Sequence, residues 1–262
     1  MAFRIASWNI NSVRLRKALV CNLMEREAPD ILCLQECKSP VELIPVDVFG
    51  PFGYRHVIAR GQKGYNGVAI LSKLPMTDMG DRDFAGLGQA RYVAGMLENG
   101  ISVHNFYVPA GGDVPDRKVN VKFGQKLDFL EDMRKWFSRE RPRKAILAGD
   151  LNIAPGEDDV WSHRQLLNVV SHTPVEVAQL GKVRETGGWT DVVRKDIPEG
   201  KLYSWWSYRA KDWSASDKGR RLDHIWVSED LRNAVHSCKI LREARGWEKP
   251  SDHVPVFATI DL

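Results

Sequence analysis

Two short apolar runs, each followed within two residues by a carboxylate, most constrain how this chain can fold. Ile31-Leu32-Cys33-Leu34 leads into Gln35-Glu36, and Ala145-Ile146-Leu147-Ala148 leads into Gly149-Asp150. Four apolar residues without alternation read as a strand buried on both faces, the habit of an inner strand in an α/β sheet. Phe3-Arg4-Ile5-Ala6-Ser7-Trp8 is a third strand candidate and delivers Asn9 and Asn11 in the same way. Binding sites of such sheets gather at strand ends. Glu36, Asp150 and the two amides therefore point to one shared centre.

A third carboxylate run, Ser251-Asp252-His253, adds an imidazole. Hydrolysis of a phosphate ester needs hard oxygen ligands for a divalent cation, a group that activates water, and donors for the charge growing on phosphate. Glu36, Asp150, Asn152, Asp252 and His253 supply all three. These residues span positions 9 to 253, and no Pro/Gly/Ser linker divides the 262 residues. We therefore expect a single domain over residues 1–262, closed around one active centre.

Composition narrows the class. The 43% hydrophobic content suffices for a packed core, and no apolar run approaches membrane-spanning length. The start Met1-Ala2-Phe3-Arg4 leads straight into a strand candidate, so a soluble, intracellular, cytoplasmic protein without a membrane partner is expected. Cys21, Cys33, Cys37 and Cys238 lack zinc-like spacing, which favours free thiols in a reducing compartment. A net charge of +4 permits nucleic acid without specifying it. The local pattern is more informative. Lys201 to Trp213 interleaves cations with Tyr203, Trp205, Trp206 and Tyr208, and Lys218, Arg220 and Arg221 follow, a mixture suited to phosphate contacts and stacking on an exposed nucleotide. One of Trp205 and Trp206 should point inward and the other toward substrate.

Periodicity predicts an amphipathic helix over Val13–Ala28, with Leu15, Ala18, Leu19 and Leu23 on its apolar face, and a longer helix over Val119–Arg141. Strand pairs are expected at Tyr54–Arg60 with Gly67–Ser72, and at Arg91–Leu97 with Ile101–Val108 through the Asn99-Gly100 turn. Leu222–Ser228 and Val256–Ile260 read as further strands. Residues 154–182 read as loops with a short helix or two. Within them His163 and His172, nine apart, lack metal-ligand spacing and are placed at the border of the site.

In order along the chain, Trp8-Asn9-Ile10-Asn11, Leu34-Gln35-Glu36, Tyr107-Val108-Pro109, Gly149-Asp150-Leu151-Asn152, Arg221-Leu222-Asp223 and Ser251-Asp252-His253 resemble the signature blocks of exonuclease III type apurinic/apyrimidinic endonucleases, within the endonuclease/exonuclease/phosphatase superfamily. The resemblance implies a four-layer α/β sandwich, two packed, mostly antiparallel mixed β-sheets flanked by helices. It also implies a Mg²⁺-dependent DNA-repair nuclease, Mn²⁺ being able to substitute, that acts as a monomer on double-stranded DNA with abasic sites or 3′ ends. Incision would fall 5′ to the abasic site, with 3′-to-5′ exonuclease and 3′-end-cleaning activity from the same centre. Other branches of the superfamily suggest the alternative of a phosphatase or phosphodiesterase acting on a small molecule or lipid headgroup. Tyr107 stands where those branches usually carry a His, which favours the repair branch.

Roles follow residue by residue. The resemblance implies metal ligation by Asn9, Glu36, Asp150, Asn152 and Asp252, by one ion or two. In the mechanism the resemblance implies, Asp150 would orient or deprotonate the attacking water, and Asn152, on the same strand face if extended geometry continues, would hold water or phosphate. His253 contacts phosphate or serves as general base, with Asp223 orienting its ring. Tyr107 steadies the phosphate or shares in proton transfer. Lys38, Lys63, Tyr65 and Arg91 are candidate DNA contacts. Trp205 and Leu222 would wall the abasic pocket, and Arg220, standing where relatives tend to carry an apolar or aromatic residue, would make that wall more polar. A catalytically silent DNA-binding module is disfavoured, since every expected catalytic position is filled.

Overall fold

The computed structural model describes residues 2–261. Its strands are β1 (Ala2–Asn9), β2 (Ile31–Gln35), β3 (His56–Arg60), β4 (Val68–Ser72), β5 (Met76–Gly80), β6 (Tyr92–Leu97), β7 (Ser102–Tyr107), β8 (Ala145–Asp150), β9 (Trp189–Asp191), β10 (Trp205–Trp206), β11 (Gly219–Arg220), β12 (Asp223–Ser228), β13 (Val235–Ile240) and β14 (Val256–Asp261). The helices are α1 (Lys17–Arg26), α2 (Val46–Phe49), α3 (Val121–Arg139), α4 (His163–Leu166), α5 (Pro174–Gly187), α6 (Val192–Asp196) and α7 (Trp213–Ser216). Two six-stranded sheets run in the orders β13-β14-β1-β2-β4-β3 and β5-β6-β7-β8-β12-β9, and only β1/β2 and β7/β8 pair in parallel.

Alternation of side chains along the strands explains the layering. Phe3 and Ile5, Ile31 and Cys33, Ile146 and Ala148, and Ile225 and Val227 share one buried cluster between the sheets. Their neighbours face outward. Ala6, Trp8, Leu32 and Leu34 pack under Leu19, Val20 and Leu23 of α1, while Leu147, Phe106 and Trp226 pack under Phe129, Leu130 and Met133 of α3 and Leu180 of α5. The result is the expected four-layer sandwich. Among the described residues, no helix is long and apolar enough to cross a membrane.

The structure corrects two local readings and adds two features that the sequence did not predict. The first helix begins at Lys17, after Asn11 and Ser12 take positive φ, so Leu15 (69% exposed) and Ala18 face solvent while Val20 and Met24 complete the buried stripe. Residues 154–182 contain most of α5, a 14-residue helix with Pro174 at its first turn and a capping box in which Thr173 and Glu176 satisfy each other's backbone N–H groups. β5 and β13 are edge strands whose largely exposed, polar residues leave no buried periodicity to read. Finally, Gly149 is a strand residue set by close approach: a Cβ there would lie 2.0 Å from the Phe106 carbonyl oxygen on β7.

Candidate active site at the strand ends

At one end of the sandwich the facing strands change from apolar to polar without leaving the inner face. β1 passes from Ile5 to Ser7 and Asn9, β2 from Cys33 to Gln35, β7 from Val103 to Asn105 and Tyr107, and β8 from Ala148 to Asp150. β12 runs the other way and begins at Asp223, paired with Asp150. Gln35 Nε2 donates to Asn105 Oδ1 at 2.8 Å, and Asn105 Nδ2 donates to the carbonyls of Leu34 and Ala69. This amide layer separates the dry core from the ionisable groups.

The site has two connected halves. In the first, Asn9 Nδ2 donates to Glu36 Oε1 and to Asp150 Oδ2, each at 2.9 Å. Tyr107 donates its hydroxyl to Glu36 Oε1 at 2.8 Å, and Lys38 Nζ sits 2.8 Å from Glu36 Oε2 and 2.7 Å from Asn11 Oδ1. Burial pushes the Glu36 carboxyl up, but Lys38 and the Asn9 hydrogen bond outweigh it and hold the group below its ordinary value. Glu36 is therefore an anion at neutral pH.

In the second half, His253 Nδ1 lies 2.8 Å from Asp223 Oδ2 and its Nε2 lies 3.8 Å from Asp150 Oδ2. Ser204 donates its hydroxyl to Asp223 at 2.6 Å and accepts from the backbone N–H groups of Leu222 and Asp223. Burial opposes the charge on His253, yet Asp223 and Asp150 raise its pKa to about 10 and keep it an imidazolium. Burial first, then the proximity of Asp223 and Glu36, pushes Asp150 up to about 7 against the pull of His253. Asp223 Oδ1 is buried without a partner.

The predicted residues fall into three groups. Asn9, Glu36, Tyr107, Asp150, Asn152, Asp223 and His253 converge. Asn152 lies beyond the end of β8 with φ +53°, so extended geometry does not carry it to Asp150; a turn does, with Nδ2 3.1 Å from Asp150 Oδ2 and 2.9 Å from the Val108 carbonyl. Asn9 and Asn152 thus present amide N–H groups, rather than oxygens, to the carboxylates. Asp252 flanks the cluster, accepting from Asn11 Nδ2 (3.2 Å) and Trp205 Nε1 (2.9 Å). Of the proposed DNA contacts, Lys63 and Tyr65 are exposed on the 61–66 turn, whereas Lys38 is tied to Glu36, and Arg91 stacks 4.6 Å over the Tyr107 ring. Trp206 is buried, Trp205 is half-buried beside Arg220, and Leu222 is buried in a cluster packed against Trp205. His163 and His172 bond to each other, Nδ1 to Nε2 at 2.8 Å.

Two supporting residues, Ser204 and Lys126, escaped the sequence reading, and Arg221, expected among the phosphate-contacting cations, is instead buried in ion pairs. Ser204 steadies Asp223. Lys126, wholly buried on α3, donates to the Asn152 carbonyl at 2.8 Å and pairs with Glu176 at 2.5 Å. Arg221 pairs with Asp159 and Asp191, each at 2.8 Å, beneath the Leu222–Asp223 step. The only available signal was a Lys and an Arg adjoining apolar positions, which also describes ordinary surface residues.

The donor set suits a hard divalent cation. Glu36 and Asn11 already turn oxygens onto one positive group, the Lys38 ammonium, whose side chain is about one-third exposed. A tighter group, Asp150, Asp223 and His253, brings ligand atoms within 4.8 Å of one another, but Asp223 Oδ2 is already engaged by His253 and Ser204, which favours Asp150 and Glu36 as the carboxylates for a cation.

Comparison with known proteins agrees with this geometry. Residues 6–253 match the Endonuclease/Exonuclease/phosphatase family. An exodeoxyribonuclease III of Haemophilus influenzae is 31% identical, the alignment covering 97% of this chain and 98% of the relative. An AP endonuclease from Archaeoglobus fulgidus superposes with a TM-score of 0.92 at 33% identity, covering 99% of this chain and 100% of that one. A 3′ phosphatase from Neisseria bound to a product DNA hairpin gives 0.90 at 32% identity, with the same coverage.

Proposed function

Because this chain belongs to the endonuclease/exonuclease/phosphatase family, we propose that its strand-end cluster makes it a DNA-repair nuclease of the exonuclease III type, a metal-dependent hydrolase of phosphodiester bonds. Its substrate would be duplex DNA carrying abasic sites or 3′ ends, cut 5′ to the abasic residue to leave a 3′ hydroxyl, with 3′-end cleaning at the same centre. Residues 1–262 would act as one catalytic domain, a cytoplasmic monomer. The observation that carries this reading is the line of buried groups Asp150, His253 and Asp223, a carboxylate 3.8 Å from an imidazole nitrogen whose other nitrogen rests on a second carboxylate.

The chemistry follows from those positions. Asp150, 3.8 Å from His253, accepts the proton of the attacking water, and Asn9 and Asn152 fix its orientation through their amides. His253, charged and locked by Asp223, donates from Nε2 to a non-bridging phosphate oxygen and is worth most as negative charge grows there. Tyr107, held by Glu36 and backed by Arg91, limits movement of the carboxylate beside it. Glu36 and Asp150 would hold Mg²⁺, with Asp252 at the margin. When bound, the ion supplies Lewis-acid polarisation of the phosphate.

The test compares parent and Asp150→Asn on three substrates: a duplex with a central abasic analogue, an undamaged duplex with a recessed 3′ end, and a generic phosphomonoester. The parent should incise 5′ to the analogue in Mg²⁺ and stop in excess chelator. Asp150→Asn should lose about 10³-fold or more in turnover, while duplex affinity holds because the basic surface is intact. Activity confined to the phosphomonoester, or undiminished by chelator, would reject the proposal.

A further inference from the structure

Beside the catalytic cluster lies a cavity of about 490 Å³ whose lining includes Trp205, Arg220, Arg209, Lys218, Trp161 and Asp113. It is continuous with the site by short links. Trp205 donates Nε1 to Asp252 Oδ2 at 2.9 Å and forms an isolated β-bridge with His253, and Arg220 opposes Trp205 across β10/β11, three residues before Asp223. A phosphate at Asp150 and His253 would therefore direct one of its ester arms toward this cavity.

The lining is unbalanced in charge, with three cations against the single carboxylate of Asp113. Arg220 is the most constrained of the cations. Its guanidinium lies 5.2 Å over the Trp205 ring, and both of its hydrogen bonds leave from Nη1, to the Val170 carbonyl (3.0 Å) and Ser171 Oγ (2.7 Å). Nε is buried with no partner, and Nη2 is left without one. The clamp is anchored in turn: the Ser171 N–H donates to both oxygens of Glu176, and Glu176 pairs with Lys126, which holds the Asn152 carbonyl. One chain of polar contacts thus fixes a partly desolvated guanidinium relative to the catalytic amide. A cation set in this way discriminates among ligands by charge, because part of the cost of ordering and drying it is already met in the folded protein.

We propose that Arg220, with Lys218 and Arg209, forms a subsite for an anionic group carried by the leaving remnant of a damaged 3′ end, so that charged remnants are removed in preference to neutral ones of the same size. This rests on the repair-nuclease reading and specifies its substrate. The anion has two sources, the carboxylate of an oxidised sugar fragment or a phosphate retained on an abasic sugar.

Two matched pairs of duplex substrates with recessed 3′ ends separate these sources. In the first pair the terminal phosphate is esterified to glycolate or to ethylene glycol. In the second it is esterified to a tetrahydrofuran residue that does or does not carry its own 3′ phosphate. For the parent protein, kcat/KM should favour the charged member of at least one pair by about tenfold, roughly what one charge-assisted hydrogen bond provides. In Arg220→Gln the ratio should fall to near one, and in Arg220→Lys it should keep at least threefold. Preference in the first pair alone identifies the carboxylate, in the second alone the phosphate, and in both their shared charge. A parent ratio near one in both pairs, or a preference that survives in Arg220→Gln, overturns the subsite. Because Arg220 also braces Val170 and Ser171, thermal unfolding of each variant is compared with the parent, and the ratio within one variant cancels any general loss. No hydrolysis of any of the four substrates by the parent would instead reject the 3′-end-cleaning part of the repair-nuclease reading, on which the subsite rests.

Discussion

Replacing Lys126 with Met should destabilise the protein by about 3 to 5 kcal/mol, even though Lys126 touches no substrate. The Lys126 ammonium and the Glu176 carboxylate are both fully buried and 2.5 Å apart. With an effective dielectric of about 20 their gross attraction is about 6 to 7 kcal/mol, largely offset by the several kcal/mol needed to dry each ion. Lys126→Met removes the attraction and leaves the carboxylate dry, supported only by the Ser171 and Thr173 N–H groups and the Thr173 hydroxyl. It also strips a donor from the carbonyls of Asn152 and Ala110. Breaking one side of a buried pair in this way costs about 3 to 5 kcal/mol, a fall in Tm of roughly 10 °C for a chain of this size. The double variant Lys126→Met/Glu176→Gln removes both charges and should recover about half of the loss. Urea unfolding of parent, both single variants and the double variant supplies the cycle. A loss under about 1 kcal/mol for Lys126→Met, or a double variant as unstable as the two singles added together, would refute the argument.

Acid should reveal the second buried network. Burial pushes Asp159 up, but Arg221 and Arg194 hold it at about 2 against an ordinary 3.8, and Asp191 is likewise held low. A depressed folded-state pKa means the stabilisation is present above about pH 4 and lost as pH falls through 2. For Asp159 it amounts to about 2 kcal/mol, roughly half of it gone by pH 3. Urea midpoints from pH 5 to 2.5 should therefore slope, and Asp159→Asn should flatten the slope; an unchanged slope in the variant would refute the assignment. For catalysis, His253→Ala and Asp223→Ala should each lower kcat, and the double variant should lose little more than His253→Ala alone, because Asp223 acts through the ring. Multiplicative losses would show that the two act independently.

The carboxylate most legible in the sequence was Asp150, just beyond an unbroken apolar run, whereas Asp223 was readable only within the Arg221-Leu222-Asp223 block. In the structure both lie in phase with apolar residues of the inter-sheet core, which carries them to the inner face at the strand end. His253 has no such phase. It was readable only as part of a motif, and its place is set by the bond from Trp8 Nε1 to its carbonyl, across 245 residues. The burial of Lys126 and of Arg221, the latter expected to contact phosphate, was hidden for the same reason, since the partners that make it tolerable, Glu176, Asp159 and Asp191, lie 30 to 62 residues away. α5 is a different case. Thr173, Pro174 and Glu176 form a capping box with proline at the first turn, a local signal that the weak amphipathicity of the following residues obscured. The opposite error, Leu15, came from extending the periodicity back to Val13, whereas residues 13–16 form turns and the helix starts at Lys17.

Backbone strain at the site has a geometric reason that alternation also supplies. Gln35 faces the inter-sheet core, so in a strand that simply continued, Glu36 would face the outer helices and lose Asp150. Glu36 instead takes φ +49°, which turns its carboxylate back to Asn9 and Tyr107. Asn11, Lys38 and Asn152 turn in the same left-handed region, at a cost of roughly 1 to 2 kcal/mol each for non-glycine residues. Backbone bonds on either side hold the segment in this conformation: Ser12 N–H to the Glu36 carbonyl at 2.7 Å, Cys37 N–H to the Gly67 carbonyl at 3.0 Å, and Lys38 N–H to the Asn66 carbonyl at 2.8 Å. The last two bonds join the end of the 61–66 turn, on which Lys63 and Tyr65 are exposed, to Cys37 and Lys38, the residues that follow Glu36, so one stretch of backbone braces both the turn and the carboxylate.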